Sequence, residues 1–217
     1  MIRRLLRRPY DVVRRLEREY ERSKRRKAAC EHSRRIAMPY RLHLGCGSIR
    51  FPGWINIDQY ENPGVVDVTW DVTVPFPFPD GSCRLIYNEH LLEHLDVESG
   101  LRFLRECCRV LQPSGILRIA MPSLESAVEH YQAGSWRDQS WLCLPENQLI
   151  HTRAEMLNVF FRAWGHQWIY DREELHRRLR EAGFESWRDC PPGSSEEPEF
   201  CNRERRPDSL LICEALK

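Results

Sequence analysis

The chain has 217 residues, 41% of them hydrophobic, and a formal net charge of +1. That length suits one domain with an ordinary core, since domains commonly run to about 100–200 residues, and the near-neutral balance excludes a protein that seeks polyanions with its whole surface. Charge is unevenly placed, because residues 1–35 hold fourteen Lys or Arg against five Asp or Glu, so a basic arm precedes a mildly acidic body.

Nine cysteines are present, an odd number with Cys107 and Cys108 adjacent and no C-x-x-C pair. A disulfide framework or zinc ribbon is therefore not expected, and reduced thiols in a cytoplasmic protein are. No apolar run approaches the roughly 20 residues that span a bilayer. The charged start is not followed by the apolar stretch of a signal peptide, so export is not expected.

Residues 2–28 read as a helix, with Ile2, Leu6, Val13, Leu16 and Tyr20 at helical steps between arginines and Pro9 marking a break or a new first turn. Residues 33–39 read as a linker. The unit 1–39 is thus a basic helix plus linker, and 40–217 is the main domain. The helix is expected to pack on the domain or pair with a second copy, and contact with an anionic membrane surface is the sharper reading. Five acids interrupt its stripe, so nucleic acid is not an expected partner.

From residue 40 the pattern alternates between strands and helices. Tyr40–Leu44 reads as a strand running into Gly45-Cys46-Gly47. Trp54–Asp58 and Val65–Asp71 read as strands ending in acids, and Arg84–Tyr87 as a fourth. Glu89–Leu95 is a short helical stretch. Asp96 caps a helix over Val97–Leu111, Pro113-Ser114-Gly115 is a turn, and Ile116–Met121 is a fifth strand. Regularity fades over 122–170. Asp171–Ala182 is a helix stopped by Gly183, followed by strands Phe184–Asp189 and Ser209–Ala215 with no helix between them. The expected fold is α/β, a mostly parallel sheet with an antiparallel C-terminal strand pair and helices on both faces.

Four features fall in an order that suits a nucleotide-type ligand at the carboxyl edge of such a sheet. Gly45 and Gly47 allow close approach to the backbone. Asp58 lies eleven residues after Gly47 and can accept hydrogen bonds from vicinal ribose hydroxyls. Asp71 can accept from an exocyclic adenine amine. Asn88 follows the fourth strand. A dinucleotide fingerprint would need a third glycine where Arg50 stands and an acid about 20 residues on, so NAD is disfavoured.

The runs LHLGCGSIRFPGWINID, PFPFPDGSCRLIYNEHLLEHL and LRECCRVLQPSGILRIAMPSLE, together with FFRAWGHQWIYDREELHRRLREAGF, resemble class I S-adenosylmethionine (SAM) dependent methyltransferases of the methyltransferase-11-like branch. The resemblance covers about residues 40–217 and implies a Rossmann-like sheet with SAM as cofactor. It places Gly45, Cys46 and Gly47 at the methionine part, Asp58 at the ribose, Asp71 at the adenine and Asn88 near the sulfonium. Many relatives carry an acid where His43 stands and a third glycine where Ile49 stands. No N/D-P-P-Y/F tetrad is visible, which disfavours DNA or protein-glutamine methylation and favours a small molecule or a glycan sugar as acceptor.

Residues 90–94, H-L-L-E-H, also match a zinc-hydrolase pattern with His90, Glu93 and His94. The resemblance absorbs this segment into the turn after strand four, so no metal is expected and hydrolysis is a minor alternative. A SAM-binding scaffold without transfer is the other alternative. The aromatic-rich insert 122–170 is expected to act as a lid. His90 and His166 are the candidate catalytic bases, because a neutral imidazole can take a proton from a hydroxyl or an amine. Asn158, Arg162 and Tyr170 are the candidate substrate contacts.

Overall fold

Seven strands build the domain: β1 (Tyr40–Leu44), β2 (Ile55–Asp58), β3 (Val68–Thr69), β4 (Cys83–Glu89), β5 (Leu111–Met121), β6 (Ser186–Asp189) and β7 (Leu211–Leu216). The computed structural model describes residues 7–217, with side chains from Glu17 onward except Arg18 and Glu146. Ile2 and Leu6 of the expected first helix lie outside the described residues. The strands form one sheet in the order β3-β2-β1-β4-β5-β7-β6. β1 to β5 pair in parallel, and β7 runs antiparallel between β5 and β6. The strand order reverses beside β1, where β2 and β4 flank it, and ligands of such sheets bind beyond the carboxyl ends at that point.

Five helices are described: α1 (Arg7–Ser33), α2 (Val97–Val110), α3 (Leu124–Ala133), α4 (Arg153–Arg162) and α5 (Arg172–Ala182). α2 starts where expected, because the Asp96 side chain accepts the backbone N–H groups of Glu98 and Ser99. α5 stops at Gly183, which holds the left-handed conformation. α2 and α5 bring Phe103, Leu104, Leu175 and Leu179 onto Leu42, Leu44, Ile57, Ile86 and Ile119 of the sheet, and together these form the main core. α1 continues five residues beyond the expected end and docks through buried Ala29 near β3, while residues 20–28 are exposed.

Period-two alternation sends Leu85 and Tyr87 to the opposite face, where they meet Phe51, Trp54 and Phe200. Helices were expected there too. This face is roofed instead by residues 49–54 and by the connection from β6 to β7, whose helical content is the single turn Pro198–Phe200. The reason is polar. The face presents Arg84, Arg118 and Glu214, and the connection answers with Glu197, Glu199 and Glu204. Buried charges need such partners, which an apolar helix face lacks.

Three local expectations change. β3 is two residues long rather than seven, since this edge strand pairs only through Val68 and Thr69. Pro113-Ser114-Gly115 is an irregularity inside β5, with Ser114 at φ +63, and it shifts the register against β4 rather than starting a new strand. The insert 122–170 holds α3, α4 and several 3₁₀ turns around its own small core of Trp136, Trp141, Leu142, Ile150, Met156 and Phe160.

Candidate active site

The turn after β1 lies at the reversal of strand order. Gly45 takes φ +68, and a Cβ there would stand 3.0 Å from Leu91 Cδ1, so only glycine fits. At Gly47 a Cβ would meet nothing within 4 Å, so this backbone faces open space. The Gly47 N–H donates to Asp58 Oδ2 at 2.9 Å, and the Tyr60 N–H donates to Oδ1 at 3.0 Å. Asp58 is thereby aimed from the end of β2 into a cavity of about 330 Å³. Gly45, Trp70, Asp71, Leu91, His94 and Gln167 also line it. Asp71 accepts from the backbone N–H and the hydroxyl of Thr73 through Oδ1. Trp70 and Asp71 also line a larger groove against α1. The Trp70 indole N–H is buried without an acceptor.

Cys46 and Asn88 do not join this wall. The Cys46 side chain is buried, and burial pushes its thiol up to about 12, so it stays neutral. Asn88 is fully buried in β4, with its Oδ1 lacking a hydrogen-bond partner.

His43 stands where an acid was anticipated, and the fold turns it away from the cavity. Its ring stacks on Phe51 at 4.0 Å, contacts Tyr87 and hydrogen-bonds Asn56 Oδ1 at 3.1 Å. Burial lowers its pKa to about 4. The unfolded imidazole binds a proton near pH 6.5 and the folded one only near 4, so stability falls as pH drops across that window. His43→Phe is expected to remove this loss, so that variant and parent diverge on acidification by up to about 1.4 kcal/mol per pH unit. Urea unfolding at pH 7 and at pH 4.5 measures it; equal acid sensitivity of the two proteins would contradict the burial argument.

A second set of groups gathers after β4. His90 follows the strand at φ +50, an unusual conformation for a side chain-bearing residue and one that accumulates at functional sites. Its Nδ1 lies 3.3 Å from Glu93 Oε1, and its Nε2 lies 3.7 Å from Asp208 Oδ1. His94 Nε2 is 3.9 Å from the same Glu93 oxygen, and the His94 and His166 rings are 5.0 Å apart. Glu93 is 1% exposed, and neither of its oxygens has hydrogen-bond geometry to any partner. Burial raises Glu93 to about 8 and lowers His90 to about 3, and it lowers His94 and His166 as well. The imidazoles are therefore neutral near pH 7 and can accept hydrogen bonds.

The insert delivers His166 to this cluster. The backbone N–H groups of Gln167 and Trp168 donate to the Glu93 carbonyl, and the Gln167 side chain donates to the His94 carbonyl. On the far side, Asp208 lines a second cavity of about 230 Å³ with Ser123, His130, Asp138, Trp141 and Phe160. The loop carrying Asp208 is tied down by Glu89, which accepts from the backbone N–H groups of Arg205 and Arg206 and from the Ser209 hydroxyl. One cavity thus ends at His94 and the other at Asp208, with His90 and Glu93 between them.

Of the candidate substrate contacts, none lines these cavities. Asn158 is exposed and donates to Ala154 of its own helix, and Arg162 is exposed at the end of α4. Tyr170 is buried in the main core, where a Cβ on Gly100 would stand 2.9 Å from its hydroxyl. Sequence reading missed Asp208, Trp70 and Gln167, which carry no local signal and enter only through tertiary contact. The zinc-hydrolase arrangement also fails on geometry. It needs both histidines on one α-helical face, whereas His90 is left-handed and only Leu92–His94 forms a 3₁₀ turn.

Residues 52–119 match the family described as methyltransferase domain. The fold is similar over 82% of the chain to 86% of a SAM-dependent methyltransferase from Archaeoglobus fulgidus, with a TM-score of 0.50 and 17% identity. The chain has the fold of class I methyltransferases, and its segment 52–119 resembles a methyltransferase domain. A Mycobacterium tuberculosis protein named as a probable S-adenosylmethionine-dependent methyltransferase is 43% identical over 47 residues, 22% of this chain. The chain therefore spans only 16% of that relative. The segment match and the fold point to SAM as the cofactor, and the first cavity suits it. Asp58 has carboxylate lone pairs left for a diol, and Asp71 lies further along the same wall. Among the described residues no helix is long and apolar enough to cross a membrane.

Proposed function

We propose that this chain is a SAM-dependent methyltransferase that moves a methyl group to a hydroxyl of a small polar acceptor, with a sugar unit as the preferred class. SAM supplies the electrophilic methyl. The observation that carries the reading is the meeting of two cavities at one buried cluster, with His94 on the cofactor side and Asp208 on the other. Displacement at a methyl carbon needs the acceptor oxygen held in line and water kept out. Trp141 and Phe160 offer flat apolar surface to a sugar ring, and Ser123, His130 and Asp138 offer hydrogen bonds. His90 is the group assigned to accept the acceptor proton, since its Nε2 is buried without a hydrogen-bond partner. His166 is assigned to hold the insert against the cluster through its ring, 5.0 Å from that of His94, while its Nδ1 on the Phe160 carbonyl fixes the ring within the insert.

All nine cysteines are free, which supports a reducing, cytoplasmic setting. The scaffold reading is weakened by the position of His43, whose departure from the usual acid lies outside the cavity.

Incubation with methyl-labelled SAM and a panel of sugars, sugar phosphates and phenols tests the proposal. Labelled product that disappears in His90→Ala, with SAM binding retained, is the expected result. SAM binding without transfer to any member of the panel, or transfer only to amines, would overturn the hydroxyl reading.

A further inference from the structure

The cluster between the two cavities contains a carboxyl group that the fold buries without a hydrogen-bond partner. Both Glu93 oxygens are orphaned, although the side chain is 1% exposed. Burying a carboxyl in this way costs free energy unless a donor or a cation completes it. Two imidazoles supply the rest of a cation site, because ligand atoms of Glu93, His94 and His166 all lie within 4.8 Å of one another. His166 Nδ1 is engaged with the Phe160 carbonyl at 2.7 Å. That bond fixes the proton on Nδ1 and leaves the Nε2 lone pair free, which is how metal-ligating histidines are commonly oriented.

We propose that Glu93, His94 and His166 form a binding site for a divalent transition-metal ion of the zinc type, with one coordination position left open. Two imidazoles and one carboxylate suit zinc and its first-row neighbours. Three protein ligands leave a position for an outside oxygen, which distinguishes such a site from a closed structural one. The site differs from the H-x-x-E-H arrangement, since His90 is not a ligand and the third ligand comes from the insert. The ion ties the insert to the turn after β4 and gives an acceptor oxygen something to bind.

A second group, His176, Asp189 and Cys213, is also compact. It does not compete, because His176 and Asp189 already hydrogen-bond each other at 2.9 Å and burial holds the Cys213 thiol protonated.

The existence of the site does not depend on the transfer reaction, so its test is separate. Metal-free full-length protein is titrated with Zn²⁺ by calorimetry and with Co²⁺ by visible spectroscopy, and the same samples are titrated with SAM. One equivalent is expected, with a Co²⁺ d–d band and no thiolate charge-transfer band. Glu93→Gln and His166→Asn are each expected to weaken binding by about tenfold or more, with SAM binding preserved as proof of an intact fold. Absence of stoichiometric binding, equal affinity in both variants, or a thiolate band would overturn the site. Loss of SAM binding in the parent protein, with cation binding intact, would overturn the cofactor reading instead.

Discussion

Asp58→Ala is expected to weaken SAM binding at least about tenfold, or roughly 1.4 kcal/mol. Asp58 closes β2 and receives the backbone N–H groups of Gly47 and Tyr60. Those two bonds hold the carboxylate in the cavity wall and fix the glycine turn beside it. A ribose diol bound there gains charge-assisted hydrogen bonds, which are about twice as strong as neutral ones. Alanine removes both effects. Asp58→Asn separates them, because the amide keeps one oxygen for the turn and loses the charge. Its affinity is expected to fall between parent and alanine variant. Calorimetric titration with SAM and with its demethylated product measures all three. Equal binding by parent and alanine variant, both folded, would remove Asp58 from the cofactor site.

Arg118→Ala is expected to cost about 3–5 kcal/mol of folding stability, the largest single loss anticipated in this chain. Arg118 is fully buried in β5. Its Nε donates to Glu204 at 2.7 Å, and its Nη1 donates to Glu214 at 2.6 Å and to the Ser194 carbonyl at 3.0 Å. The Glu214 and Glu204 side chains are 0% and 6% exposed. Removing the guanidinium leaves two buried carboxylates with less to balance them, which is worse than removing the whole group of charges. Arg188 still reaches Glu214 at 2.6 Å, so some compensation remains. Glu204→Gln removes one charge and keeps the shape, and is expected to cost less. Urea midpoints of the two variants against the parent decide the matter. A loss below about 1 kcal/mol for Arg118→Ala would show that the network contributes little.

Much of the wall of the first cavity is legible along the chain because its determinants are local. Alternating Tyr40–Leu44 predicts β1, the glycines after it predict the turn, and Asp58 eleven residues after Gly47 predicts the acid at the end of β2. Asp96 and Gly183 announce helix boundaries for the same reason, since a cap acts on backbone groups within a few residues of itself. Edge pairing is not local, and Val65–Asp71 reads as a full strand although only Val68 and Thr69 find partners. The insert hides its helices because its order comes from aromatic contacts such as Trp141 with Phe160 and Trp164, rather than from a clean helical period.

What the sequence determined by itself, then, is the α/β order of elements, the glycine turn and the acid that faces it, since short-range sterics and hydrogen bonding set all three. Only the tertiary structure decided which distant groups share a site. His166 reaches His94 because backbone donors of the insert clamp onto the Glu93 carbonyl. Asp208 reaches His90 because Glu89 ties down its loop. Arg118 meets Glu214 because antiparallel register sets those two Cα positions opposite each other. Such contacts depend on chain segments far apart in sequence, whose juxtaposition is set by strand order, register and packing rather than by any pattern within a single segment.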